Sequence, residues 1–357
     1  MQLFNSSDPK ALRISTSDKL GLVSNLATML SAGIPILEVI DSLLEDAKGN
    51  QKKFLDSLKS DLSQGNHVAD AFARFPKIFD KITVNLIRAS EEAGTLDVTL
   101  TDLKSSIKKD AEFSDKIKGA LTYPVLIFFV FIGVLLMILV VVVPKISGVF
   151  LRLNVPLPLP TQILIGMSQV LTKYTIFVIL GFILFGVISY LVYREKKREF
   201  LHLLFMLPLV STLAKQIDLT RFSRSLYLLL NAGIPIAAAL ELAQEVVLKK
   251  EVAESILHCK EVVLAGSELS EGLKKAKNIF PNIMIKITEA GEKSGSLDKS
   301  MQDVSEYLDY QVEKTLKTLT TLLEPIMLIF VGVLVGGMML SIIAPIYGLI
   351  GQVGGGH

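Results

Sequence analysis

IFDKITVNLIRASEEAGTLD, Ile78–Asp97, recurs without a gap as IFPNIMIKITEAGEKSGSLD, Ile279–Asp298. The same 201-residue offset carries LTYP (Leu121–Pro124) onto LLEP (Leu322–Pro325) and Pro144 onto Pro345. Upstream, SAGIPI (Ser31–Ile36) matches NAGIPI (Asn231–Ile236) at an offset of 200. Self-similarity on this scale means one structural unit made twice. In each copy a charged, helical region runs into an apolar segment bracketed by two prolines. The fold expected is therefore a duplicated module of helical bundle plus membrane span.

Composition agrees with a membrane protein. Half of the 357 residues are hydrophobic, a high share for a soluble chain. A net charge of +2 gives no general argument for nucleic acid, and no direct nucleic-acid partner is expected. The single cysteine, Cys259, excludes an intramolecular disulfide. The first twenty residues lack the apolar core of a signal peptide, so insertion is expected from internal spans.

Three apolar runs have the length a helix needs to cross a bilayer: Val125–Val143, Tyr174–Tyr193 and Pro325–Ile350. Their flanks set the orientation. The segments before the first run and between the second and third are rich in Lys and Arg, with REKKR at Arg194–Arg198. The connection from Pro144 to Lys173 carries only Lys145, Arg152 and Lys173. The positive-inside rule puts both large segments in the cytosol and NVPLPLP (Asn154–Pro160) outside. The middle run is the return crossing that brings the second bundle to the same side as the first. The expected plan is 1–122 first cytosolic domain, 123–144 span, 145–173 short external loop and 174–193 span. It continues with 194–324 second cytosolic domain, 325–350 span and 351–357 external tail. The protein is then multi-pass, with a cytosolic N-terminus and an external C-terminus.

Within the charged regions the pattern is helical throughout. Leu20, Val23, Leu26, Ala27 and Leu30 share one face, and Gly33 follows as a C-terminal cap. Pro35 opens the next helix, so AGIP reads as a tight corner at Gly33–Pro35 and again at Gly233–Pro235. Gly94 and Gly295 end helices, and Leu96 and Leu297 begin long ones. Leu201–Leu213, apolar and interrupted by Pro208, reads as an interfacial elbow.

No catalytic constellation assembles from these residues. The phosphate-cradling G-x-x-x-x-G-K-[ST] pattern is absent. His67, His202, His258 and His357 have no metal-ligand spacing. Two acidic features stand out. E-x-x-G-x-L-D occurs at Glu91, Gly94 and Asp97 and at Glu292, Gly295 and Asp298. It reads either as helix punctuation, with an acid favouring the next helix dipole, or as a partner-docking corner. Glu324 beside Pro325 lies at the mouth of the last span, as Tyr123 and Pro124 lie at the mouth of the first; Pro144 and Pro345 close the two repeated spans. An ionisable group at that depth reads either as headgroup-level or as functional.

With these motifs in place, the chain resembles the type II secretion F / type IV pilus platform (PilC-like) family. The resemblance is carried by SAGIPI and NAGIPI, the doubled E-x-x-G-x-L-D, K-x-x-x-A-L-x-Y-P from Lys116 to Pro124, and Glu324–Pro325. It covers Ser17 to about Val353. It implies an all-α membrane protein with two cytosolic six-helix bundle domains and three transmembrane helices. It further implies a non-enzymatic platform without cofactor, in the cytoplasmic membrane. Its partners would be a cytosolic secretion ATPase, pilin-like subunits, other inner-membrane assembly proteins and further copies of itself. The chain departs from the family in two ways: the additional N-terminal segment of many members is missing, and Thr101 and Ser105 stand where some members carry metal-binding carboxylates, so no metal is expected. A DNA-uptake platform is the nearest alternative. A repeat-built transporter is another class, against which the nearly apolar spans argue.

Overall fold

The computed structural model describes residues 9–145, 147–148, 159–174, 180, 184 and 208–354. Among them every regular element is helical. The first repeat runs α1 (Thr16–Ser31), α2 (Ile36–Asp46), α3 (Gly49–Ser63), α4 (Val68–Ala73), α5 (Lys81–Ala93) and α6 (Leu96–Met137). After α7 (Leu159–Lys173), the same order returns as α8 (Pro208–Asn231), α9 (Ile236–Ala243), α10 (Lys250–Leu264), α11 (Leu269–Lys275), α12 (Asn282–Ser294) and α13 (Leu297–Gly354). The chain forms two compact units. One joins Met1–Lys116 with Val210–Lys314, and the other joins Ile117–Leu209 with Thr315–His357.

The first unit holds both bundles. In the first repeat, alternate turns of α1 to α6 bury Leu22, Val39, Leu58 and Ile87 around four phenylalanines. Phe54 stands edge-on to Phe72 at 5.1 Å, and Phe72 lies 4.3 Å from Phe79. Such aromatic pairs add to the gain from area burial alone. The second repeat builds an aliphatic core around Phe222 and Phe280. Ile82 and Leu86 of α5 belong to that second core, so the two bundles share packing.

The corners form as their residues dictate. Gly33 has φ 81°, and the amide after it, Ile34 N–H, donates to the Met29 carbonyl at 3.1 Å. At the second copy Gly233 has φ 76°, and Ile234 donates to Leu229 at 3.0 Å. This left-handed cap closes a helix with the bond that a glycine permits most readily. Pro35 and Pro235 follow at N-cap positions, where no intrahelical N–H is missed.

In the second unit the apolar continuations of α6 and α13 meet, with Phe131 and Phe330 at 5.6 Å. Two helices, Leu96–Lys145 and Leu297–Gly337, are long and apolar enough to cross a membrane. The expected span Tyr174–Tyr193 lies almost wholly outside the described residues, as do REKKR and Leu201–Met206. Prolines do not close the apolar segments: helix runs through Pro124, through Pro144 to Lys145, and through Pro325 and Pro345 to Gly354. At Pro144 the missing N–H and the crowding ring would strain a regular α-helix. The preceding turn, Ile138–Val142, opens into a π-helix, and the Ser168 hydroxyl donates to the Leu139 carbonyl at 2.6 Å. Ser168 belongs to α7, so much of residues 145–173, read as a loop, is a helix packed on that turn. Pro208 is the first described residue of α8, and the expected C-terminal tail is helical as far as Gly354.

Candidate functional site: the repeated corners and the interface between repeats

The E-x-x-G-x-L-D corners come out as a matched pair. Gly94 and Gly295 adopt φ 69° and 67°, and the amides after them, Thr95 and Ser296, donate to Ser90 and Gly291 at 2.8 and 2.9 Å. Asp97 and Asp298 fall in the first turns of α6 and α13, where a negative charge favours the helix dipole. The glutamates do something that spacing does not show. Glu91 Oε1 accepts from the Val68 N–H at 2.8 Å, and Oε2 accepts from the Ala69 N–H at 3.2 Å. Glu292 accepts from the Leu269 and Ser270 N–H groups in the same way, the latter at 3.1 Å. Each carboxylate therefore caps the N-terminus of the short helix that begins 23 residues earlier, α4 or α11. Those amides are orphans of the helix start, and a charged acceptor is their strongest partner. In each glutamate both carboxylate oxygens are engaged by backbone amides.

The membrane-edge candidates lie along the two long helices. Tyr123 is 54% exposed. Pro124 and Pro325 lie inside α6 and α13, Glu324 is exposed beside Pro325, and Pro144 follows the π turn.

Between the repeats, within the first unit, lies a cluster that sequence reading missed. Arg224 of α8, with only 6% of its side chain exposed, donates to Asp110 of α6 and to Asp309 of α13. Its guanidinium carbon stands 5.8 Å from the Phe113 ring. One cation thus ties the last helix of the first repeat to the first and last helices of the second. Asn231, seven residues along α8, donates to Asp102 at 2.8 Å. Lys109–Glu306 at 3.1 Å and Lys116–Glu313 at 2.9 Å pair α6 with α13 on the exposed side. Burial raises the Asp309 carboxyl, against the opposing pull of Arg224, and burial likewise raises Asp102. A cleft of about 340 Å³ beside Arg224 is also lined by Lys19, Arg221, Asp80 and Asp110. Burial lowers the Lys19 ammonium, which lies 5.3 Å from the Phe79 ring.

Chemically this is a charge lock between helices. Arg224 pairs with both carboxylates, while its buried Nε and the Oδ1 of Asp309 have no hydrogen-bond partner. Cys259, the one thiol, is buried with its pKa pushed up to about 12. The signal that could have exposed the lock is Arg224 itself, set in LTRFSRSLYLLL (Leu219–Leu230), where the first copy has Ser24.

The repeat found in the residues is also the unit of a known family. A profile described as "Type II secretion system (T2SS), protein F" matches residues 22–144 and again 222–345. The chain belongs to that family. The type IV pilus assembly protein PilC of Myxococcus xanthus is 30% identical over 340 residues, covering 94% of this chain and 81% of its own length. The Thermus thermophilus protein of the same name is 32% identical over 334 residues, covering 91% and 81%. The type II secretion system protein F of Aeromonas hydrophila is 28% identical over 335 residues, covering 93% and 86%. The two family matches end at Pro144 and Pro345, the equivalent prolines of the repeat.

Proposed function

We propose that this chain is the non-enzymatic inner-membrane platform of a type II secretion or type IV pilus-like machine. In this reading it couples a cytosolic secretion ATPase to the assembly of pilin-like subunits. The observation that carries the reading is the doubled family match over a chain whose two charged bundles each run, by one unbroken helix, into an apolar stretch. Each repeat contributes a six-helix domain on the cytosolic side. Three spans cross the bilayer, Tyr174–Tyr193 being the return, with the N-terminus inside and the C-terminus outside.

The chemistry suits a transmitter. α6 has 42 residues, roughly 60 Å of helix, and is stiff enough to carry a displacement from bundle to membrane. Arg224 holds α6 and α13 to the same helix, α8, so a load applied to either bundle reaches both apolar continuations. Further copies of the chain and other assembly proteins complete the platform. Deleting the chain should abolish filament assembly or secretion while pilin-like subunits still accumulate in the membrane. A cysteine at Asn154 should react with an impermeant maleimide in intact cells, and one at Ser63 should not. Assembly that persists without the chain would overturn the reading.

A further inference from the structure

The two apolar helices pass equivalent prolines in different ways. Pro144 and Pro345 match in the repeat, and helix runs through both. Before Pro144 the turn Ile138–Val142 is a π turn; before Pro345, α13 stays α-helical, with no π turn among its described residues. A proline therefore does not open the turn by itself. The difference lies beside it. α7 packs on Ile138–Val142, and Leu139 is 3% exposed, whereas its counterpart on α13, Leu340, is 70% exposed.

The hydrogen bonds show what α7 supplies. In the π turn the Val143 N–H donates to the Ile138 carbonyl, five residues back. In that register the next carbonyl, Leu139, would take the amide of residue 144, and proline has none. Leu139 is buried, where an unmet carbonyl is costly. The buried Ser168 hydroxyl donates to it at 2.6 Å. The hydroxyl thus stands in for the N–H that Pro144 lacks.

In an α register the same turn has other needs. The Val143 N–H would return to the Leu139 carbonyl, four residues back, and the carbonyl left over would be that of Val140. Ser168 would then have nothing to serve. That is the arrangement α13 adopts before Pro345, so the chain holds one example of each register. The two differ by one residue in the turn, which is about 100° of rotation for Lys145 beyond it. A lone hydroxyl bond between apolar helices is weak enough to exchange, and packed helices switch between discrete arrangements of this kind.

We propose that Ser168 is a latch: its bond to the Leu139 carbonyl holds the end of α6 in the π register, and releasing it returns the turn to the α register seen before Pro345. The device lies wholly within the second unit and does not depend on the platform reading. The test uses the full chain in lipid nanodiscs, spin-labelled at Lys145→Cys and Lys173→Cys, both exposed positions. Buried Cys259 stays unlabelled. Electron–electron resonance reads the distances between the labels. Ser168→Ala should raise the share of a second distance population about threefold or more. That population should be displaced by about 5 Å or more, as a label on a rotated helix surface must be. Ser168→Thr, which keeps the hydroxyl, should preserve the parent distribution. An unchanged distribution in Ser168→Ala, or an equal shift in Ser168→Thr, would overturn the proposal.

Discussion

The two repeats share their corners and differ in what they turn outward and inward. Gly33 and Gly233, Gly94 and Gly295, and Glu91 and Glu292 occupy the same roles to within a few degrees and tenths of an ångström. The cores do not match side chain for side chain: Phe54 and Phe72 of the first repeat face Ser255 and Leu273 at the equivalent places. Ser24 corresponds to Arg224. The backbone plan is thus fixed by a few residues that no other type replaces cheaply, whereas the core tolerates any filling of suitable volume. The unmatched polar residues are where one repeat meets the other, or something else.

The largest effect that separates the repeats is expected at Arg224. Arg224→Ala removes the buried cation that Asp110 and Asp309 share, a loss of about 2–3 kcal/mol in the stability of the first unit. Ser24→Ala at the matched place should stay within about 0.5 kcal/mol. Denaturation of the detergent-solubilised chain, followed by proteolysis within unit one, reads both. Equal effects would break the claim that the lock belongs to one repeat.

Next come the glutamate caps, where the repeats should agree. Glu91→Ala and Glu292→Ala should each cost about 1–2 kcal/mol, because two orphan amides lose a charged acceptor. Lys at either place should cost more, since it sets a cation against a helix N-terminus. A Lys variant of full stability at either site would restore the view of these acids as free for a partner.

The glycine corners should also agree, at smaller cost. Gly33→Val and Gly233→Val should each lose more than about 1 kcal/mol, from the left-handed backbone alone. No atom within 4 Å crowds either site, and Ala32→Ser should be mild. A difference between the two glycines would show that their surroundings, and not the turn, decide.

The smallest effect is in pH dependence. Asp309 has a raised folded-state pKa, so the folded form holds its proton more tightly than the unfolded form. Its contribution is present below the ordinary carboxylate range and is lost as pH rises through the raised value. As pH rises from the ordinary carboxylate range, Asp309→Asn should remove part of the decline in stability that the parent chain shows. An identical slope in the variant would place the titration elsewhere.

Much of this was legible in the residues. The repeat is visible because glycine and proline corners leave the same letters in both copies. The two long helices follow from an unbroken helical pattern after Leu96 and Leu297. The glutamate caps were hidden because their partners lie 22 or 23 residues back, beyond any local period. Arg224 was hidden because its carboxylates come from α6 and α13, and only packing brings those together. The prolines misled for a physical reason: in an apolar helix a π turn and the Ser168 hydroxyl absorb what Pro144 removes, so the helix continues.

The platform claim is tested most directly by reconstitution. The chain is placed in nanodiscs with the secretion ATPase encoded in the same genome, and nucleotide hydrolysis is followed with and without the chain. The chain alone should hydrolyse nothing above background, should bind the ATPase through its two bundles, and should change the ATPase rate several-fold. Hydrolysis by the isolated chain, or an ATPase that neither binds it nor changes rate, would contradict the account.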